Sequence, residues 1–314
     1  MMKITMQNKH TSLIHIPVLL KETIDCLNIK SNGTYLDCTS GFGGHSSKIL
    51  ENLTTGKLYC FDQDEIAIKY LKRHFANAKN VKFFNQNFTG IKQFPEKTFD
   101  GIIFDLGVNS LMFDDSTRGF SYNLNGPLDM RMSKQTSLTA QYIINHYSKQ
   151  ELNNIFQQYG EVKKPYRIVD TILNRRAKNA ITTTKQLSEI ICSNTPGSFI
   201  RKHPAKQYFQ ALRIVVNDEL NVLKQALTTS LKLLKINGIL AVISFHSLED
   251  RIVKQIFNNA SKSHDIYDSN VPLYAQKKAC YQLINKKPLR PSLAEINRNK
   301  RSQSAKLRII QRIG

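Results

Sequence analysis

The sequence predicts an α/β protein: a doubly wound parallel sheet interrupted by an all-helical domain. Three observations lead there. Short apolar runs ending in turn residues recur at "TYLDCTS", "KLYCFDQD", "VKFFNQN", "FDGIIFDLG" and "GILAVISFHS". The first four are far enough apart for a helix or crossover between them, and strands alternating with helices give a parallel sheet covered on both faces. Between the fourth and fifth runs the signals are helical throughout, and the 314 residues exceed the length of one ordinary domain, about 150.

Taken in order, the first strand runs into "GFGGHS", where glycines at 41, 43 and 44 precede a helix. The second strand ends in Asp62 and the fourth in Asp105. In the helical stretch, Ser148 with Glu151 forms a capping box opening "KQELNNIFQQYG", which Gly160 stops. Pro165 fits the first turn of "PYRIVDTILNRRAK", where its missing N–H costs nothing, and Thr183 with Gln186 caps "KQLSEIICS". From Phe209, the positions Leu212, Val216, Leu220, Leu223, Leu227, Leu231 and Leu234 step by three or four, the seam of one long helix or of two in sequence. Arg213, Asn217, Asp218 and Glu219 interrupt that seam with polar groups, as a cleft wall or as a solvated kink. Ser247 with Asp250 reads as the capping box of the helix after the fifth strand. "YQLINKKPLRPS" and "AKLRIIQRIG" supply two closing strands, an antiparallel pair. The expected domains are residues 1–112 with 216–314 for the sheet and 113–215 for the inserted helical substrate domain.

The 45 Lys and Arg against 24 Asp and Glu leave +21, a potential that attracts phosphate backbones or anionic surfaces. The alternative reading of that excess is a Lys, Asn and Ile bias of the whole proteome, since those residues crowd every segment. Five cysteines, at 26, 38, 60, 192 and 280, form no C-x-x-C pair, and read as buried thiols in a reducing compartment. The N-terminal stretch lacks a leader-like apolar core, and no run approaches the ~20 apolar residues of a membrane helix. The expectation is a cytoplasmic protein with no membrane partner.

In a doubly wound sheet, ligands bind beyond the carboxyl ends of the strands, where the glycine turn lies. Ser46 breaks the dinucleotide pattern G-x-G-x-x-G, and "GHS" stands where a phosphate-cradling P-loop needs Gly-Lys-Ser or Gly-Lys-Thr. What remains is backbone that a ligand can approach closely at Gly41, Gly43 and Gly44, with Asp37 on the strand before them. Asp62 stands where a carboxylate accepts from both ribose hydroxyls, and Asp105 supplies a further carboxylate. Carboxylates repel pyrophosphate and tolerate sulfonium and ammonium groups, so the set suits S-adenosylmethionine.

"HIPVLL" (15–20), "GFGGHS" (41–46), "FDLGVNS" (104–110), "DDSTRGFSYNLNGPLDMRM" (114–132), "FQALRIVVNDEL" (209–220), "VISFHSLEDRIVK" (242–254), "KPLRPS" (287–292) and "SAKLR" (304–308) follow one another through nearly the whole chain. In that order they resemble the bacterial ribosomal RNA small-subunit methyltransferase H family, also called MraW. The resemblance implies a Rossmann-like S-adenosylmethionine-dependent methyltransferase sheet with an inserted all-helical domain. It implies N4 methylation of a cytosine in the decoding region of small-subunit (16S) ribosomal RNA, with the small ribosomal subunit RNA as partner. Monomer and homodimer both stay open. The family's cofactor contacts fall on Gly43, Gly44, His45, Asp62, Phe88 and Asp105. Where the family commonly reads "GVSSPQLDD", this chain reads "GVNSLMFDD", so a Gln contact falls on Met112, whose thioether cannot donate a hydrogen bond. An Arg of the family's glycine turn is replaced by Phe42.

An exocyclic cytosine amine is a weak nucleophile because its lone pair is delocalised, so a group must accept its hydrogen. Asp105 occupies the first position of the strand-four motif that amino-methylating enzymes use, while Leu106, Gly107 and Val108 replace its prolines and aromatic. Asp105 is the candidate catalytic residue, with cofactor positioning as its alternative role. Phe120 or Tyr122 could supply the stacking ring. No metal is expected. Two other functions remain: a non-catalytic basic RNA-binding or assembly protein, and, more distantly, an oxidoreductase. Ser247 lacks the G-x-S-x-G context of a hydrolase nucleophile.

Overall fold

The computed structural model describes residues 17–108, 110–195, 203–262 and 279–314. His15 and Ile16 of "HIPVLL", Asn109 of "FDLGVNS" and the N-terminal stretch without a leader pattern lie outside the described residues.

The first four runs form β1 (Thr34–Asp37), β2 (Lys57–Asp62), β3 (Val81–Asn85) and β4 (Phe99–Asp105), and the fifth forms β5 (Leu234–Ser244). All pair in parallel, and β6 (Tyr281–Leu283) and β7 (Lys306–Arg312) add antiparallel strands at one end. The seven-stranded order is β3-β2-β1-β4-β5-β7-β6. The closing pair is antiparallel as expected. β5 starts before Gly238, at Leu234, and bends where Asn237 takes a φ of 66°.

Strand side chains alternate between faces, and here both faces are apolar because helices cover both. Leu240 and Val242 of β5 pack among Leu223, Leu227 and Leu231, whereas Ile239, Ala241 and Ile243 pack with Leu27, Ile49 and Leu71. The second group brings in α1 (Leu20–Leu27), α2 (Gly44–Glu51) and α3 (Glu65–His74). Asp64 caps α3 by accepting from Ile66 N, and Lys72, Arg73 and His74 complement the dipole in its last turn.

A separate apolar cluster, with members from Met112 to Val216, unites α4 (Ser110–Asp114), α5 (Ala140–His146), α6 (Lys149–Gln158), α7 (Tyr166–Arg176), α8 (Thr184–Ser193) and α9 (Ala205–Val216). Both capping boxes expected there are present, at Ser148 with Glu151 and Thr183 with Gln186. After α6 the left-handed residue is Glu161 and not Gly160, and Pro165 is the N-cap of α7, one position ahead of its first turn. The apolar seam belongs to two helices: α9 ends at Val216 with Asn217 as its C-cap, Asp218 turns left-handed with a φ of 48°, and α10 (Glu219–Leu233) follows. α10 packs on the sheet, as does α11 (Ser247–Ala260).

The cap of α11 corrects the sequence reading by one residue. His246 is the N-cap and Glu249 completes the box. Asp250 faces β7, where it takes Lys306 Nζ at 2.8 Å and Arg308 Nε at 2.7 Å. After β6 the chain forms α12 (Leu293–Arg298) before β7. Cys26, Cys38, Cys60, Cys192 and Cys280 are all free. Among the described residues, no helix is long and apolar enough to cross a membrane.

Candidate functional site

β1 lies between β2 and β4, so the chain winds in opposite senses from it and leaves a crevice at its carboxyl end. A cleft of about 1150 Å³ opens there, between the sheet and the helical cluster. Its lining includes Gly41, Phe42, Gly44, His45, Asp62, Phe88, Asp105 and Met112.

The glycine turn divides its labour. Gly41 has a φ of 49° with no atom closer than 4.0 Å to an added Cβ, so the backbone angle and not crowding selects glycine. Its N–H donates to Asp62 Oδ2 at 2.8 Å. Gly43, with a φ of 85°, faces away from the cleft: an added Cβ would stand 2.8 Å from Leu71 Cδ2 on α3. Its N–H and C=O are engaged by Ser40 O and Ser47 N. Gly43 therefore shapes the turn from behind, whereas Gly41 and Gly44 line the cleft.

Asp62 also accepts from Asp64 N at 2.8 Å. Burial pushes its carboxyl up to about 6, against those two N–H bonds. Asp37 is fully buried, outside the lining, and takes Ser46 Oγ at 2.6 Å, which fastens β1 to α2. Burial pushes it to about 6 as well. Asp105 sits at the end of β4, its own N–H held by Thr39 Oγ1 at 2.6 Å. Its Oδ2 lies 3.6 Å from His45 Nδ1, and its buried Oδ1 has no hydrogen-bond partner among the described residues. Burial, then the charges of Asp37 and Glu249, raise its carboxyl well above the usual range.

Phe88 opens a turn capped by Asn87 and meets Phe104 edge-on at 5.4 Å. Met112 lines the cleft from the helical cluster, almost fully buried. Phe42, in the place of the resembled family's Arg, packs edge-on against Tyr70 of α3 at 5.1 Å. Phe120 and Tyr122 both line the cleft, and Tyr122 is already stacked on His203 at 4.4 Å.

The opposite wall comes from the polar interruption of the leucine seam and from the start of α11. Arg213 grips Glu219 in a two-pronged pair at 2.7 and 2.8 Å, both side chains largely buried. Arg213, Asn217 and Glu219 line the cleft, so the polar interruption of the seam is both kink and wall. Glu249 accepts from Phe245 N and His246 N, with His246 Nε2 at 3.1 Å. Burial would raise Glu249, but His246, Arg213 and the N–H bonds hold it below its ordinary range. Glu219, His246 and Glu249 bring their ligand atoms within 4.8 Å of one another. Two of the three groups already hold protein partners: Arg213 occupies both oxygens of Glu219, and Glu249 N donates to His246 Nδ1. Thr39 gives no sequence signal, and Glu249 becomes visible only once α11 is known to start one residue earlier.

The residues present fit a cationic nucleoside. Residues 38–45 contain no lysine or arginine, two carboxylates line the cleft beside them, and a buried carboxylate oxygen is unsatisfied. A pyrophosphate at the turn would meet these carboxylates with no lysine or arginine from the turn itself; the basic residues of the cleft, Lys206, Arg213, Lys300 and Arg301, come from other elements.

The family model described as the MraW methylase family matches residues 12–313. Among similar curated relatives, the ribosomal RNA small subunit methyltransferase H of Ureaplasma parvum serovar 3 is 48% identical over 301 residues, covering 94% of this chain and 96% of the relative. That of Halothermothrix orenii is 44% identical over 308 residues, covering 96% and 99%. A crystal structure of an rRNA methylase from Streptococcus thermophilus aligns over 95% of this chain and 99% of its own, at 10% identity and a TM-score of 0.43.

Proposed function

The chain belongs to the MraW methylase family, and from that premise we propose that it transfers a methyl group from S-adenosylmethionine to the N4 amine of a cytosine in the decoding region of small-subunit ribosomal RNA, in the cytoplasm. The observation that carries the cofactor half of this reading is the carboxylate-lined glycine turn, free of basic side chains.

S-adenosylmethionine supplies a methyl group activated by a sulfonium. The chain's own residues bind, orient and take up a proton. Asp62 accepts from the ribose hydroxyls; each of its oxygens already holds one backbone N–H and keeps a further lone pair. Gly41 allows close approach of backbone, Gly44 makes room for Pro17 on the cleft wall, His45 closes the start of α2, and Phe88 and Met112 give apolar contact. Asp105 accepts the amine hydrogen, because a carboxylate more basic than usual is better matched to that task near neutral pH.

A tritium-transfer assay with isolated small subunits, total RNA and DNA tests the proposal, followed by mass mapping of the labelled nucleotide. Label should enter small subunits at one cytosine, and Asp105→Asn should lower transfer far more than cofactor affinity. Label in DNA, or on another base, would remove the substrate assignment; equal losses of transfer and affinity would make Asp105 a cofactor-positioning residue.

A further inference from the structure

Asp105 is a cleft-lining carboxylate with no lysine or arginine paired to it among the described residues. Its side chain is 14% exposed and its Oδ1 takes no hydrogen bond there. The groups facing it are His45 of α2 at 3.6 Å, the Asp37 carboxylate of β1, and the Glu249 carboxylate of α11, itself held by His246 and backbone N–H groups. Two of these three neighbours are acids. Before ligand binding, burial and their charges favour the proton on Asp105.

Methylation of an amine by a sulfonium breaks the C–S bond with the electron pair left on sulfur, forms N–CH3, and breaks one N–H bond. A positive charge disappears from sulfur at the step that liberates a proton. Resting on the methyltransferase reading above, the geometry points to Asp105 as a charge-exchange group: ionised while the cationic cofactor shares the cleft, it takes the amine hydrogen during transfer and keeps it while the neutral product cofactor leaves. Binding of the next S-adenosylmethionine then expels that proton, whereas S-adenosylhomocysteine binds without expelling it. The sign follows. Affinity for S-adenosylmethionine rises with pH while free Asp105 is protonated, and levels once free Asp105 is ionised. Affinity for S-adenosylhomocysteine does not gain in that window, so product competes best at low pH.

Isothermal calorimetry of the full chain with each ligand, in buffers of different ionisation enthalpy from about pH 5.5 to about pH 8.5, counts the protons exchanged on binding. S-adenosylmethionine should release up to about one proton more than S-adenosylhomocysteine, and the ratio of the two affinities should change by up to about tenfold per pH unit. Asp105→Asn should leave only the difference due to the ligands' own amino groups; His45→Gln should keep the wild-type difference. If Asp105→Asn does not fold, Glu249→Gln replaces it, and loss of that neighbouring charge should move the window to lower pH. Equal proton counts in wild type, a difference lost in His45→Gln but kept in Asp105→Asn, or an unmoved window in Glu249→Gln would each overturn the inference. Failure of the wild-type chain to bind either ligand would instead remove the methyltransferase reading.

Discussion

At the scale of single residues, Asp62 shows how one side chain serves ligand and loop together. Its place at the end of the second apolar run makes it a ribose candidate from sequence alone. The structure adds the Gly41 N–H and the Asp64 N–H, one on each oxygen. Asp62→Ala therefore removes both a ligand acceptor and the tie holding a left-handed glycine in position. Hydrogen bonds to charged groups contribute about 1.5–3 kcal/mol each, so S-adenosylmethionine affinity should fall at least about tenfold. The two abandoned N–H groups should lower stability by about 1–3 kcal/mol. Calorimetry on the folded variant and its denaturant midpoint check the two effects; wild-type affinity would mean that the ribose lies elsewhere.

At the scale of elements, the sequence discloses what depends on local chemistry. The two capping boxes of α6 and α8 are spelled out within four residues each, and the strands announce themselves by apolar runs closed by turn residues. The junction of α9 and α10 is not spelled out. A run of leucines at helical spacing continues across it, and only packing on two different clusters, one with Phe209 and Leu212 and the other with Leu223 and Leu227, requires the break. The α11 cap fails for a related reason, since histidine is an uncommon N-cap and the adjacent serine matches the usual pattern. Asn217 holds the junction. Its Oδ1 accepts from Met132 N, and its Nδ2 donates to Met130 O and Arg213 O, each at 2.8 Å. Asn217→Ala abandons Met132 N and Met130 O, while Arg213 O keeps the backbone N–H of residue 217, and should cost about 2–3 kcal/mol, at about 1 kcal/mol or somewhat more for each lost partner. Equilibrium denaturation measures it, and a loss below about 0.5 kcal/mol would show that the strap carrying Met130 and Met132 is held by other contacts.

At the scale of the whole molecule, the sheet and the helical cluster are joined by charge. Arg118 reaches Asp64 at 3.5 Å, Arg251 reaches Glu161 at 3.1 Å, and Arg301 reaches Asp114 at 3.0 Å. The last two pairs are exposed and contribute little on their own. The +21 excess lies beyond such pairs, and one part of it leads to the cleft: Lys286, Lys287, Arg290, Arg298, Lys300 and Arg301 are exposed along the C-terminal segment, and the last two line the cleft. A phosphate backbone following that segment would be guided to Asp105. Each phosphate neutralised by a cation releases counterions and adds about 0.7–0.9 to the slope of log affinity against log salt. Replacing Lys286, Lys287 and Arg290 together by Ala should therefore flatten the slope for small-subunit binding by about 2–3 if all three contact phosphate. S-adenosylmethionine affinity should stay unchanged, because none of the three lines the cleft. Filter binding across a salt series decides it. A slope equal to wild type would place the RNA on another face, while a flattened slope with weakened cofactor binding would mean that the triple substitution disturbed the α12 segment itself.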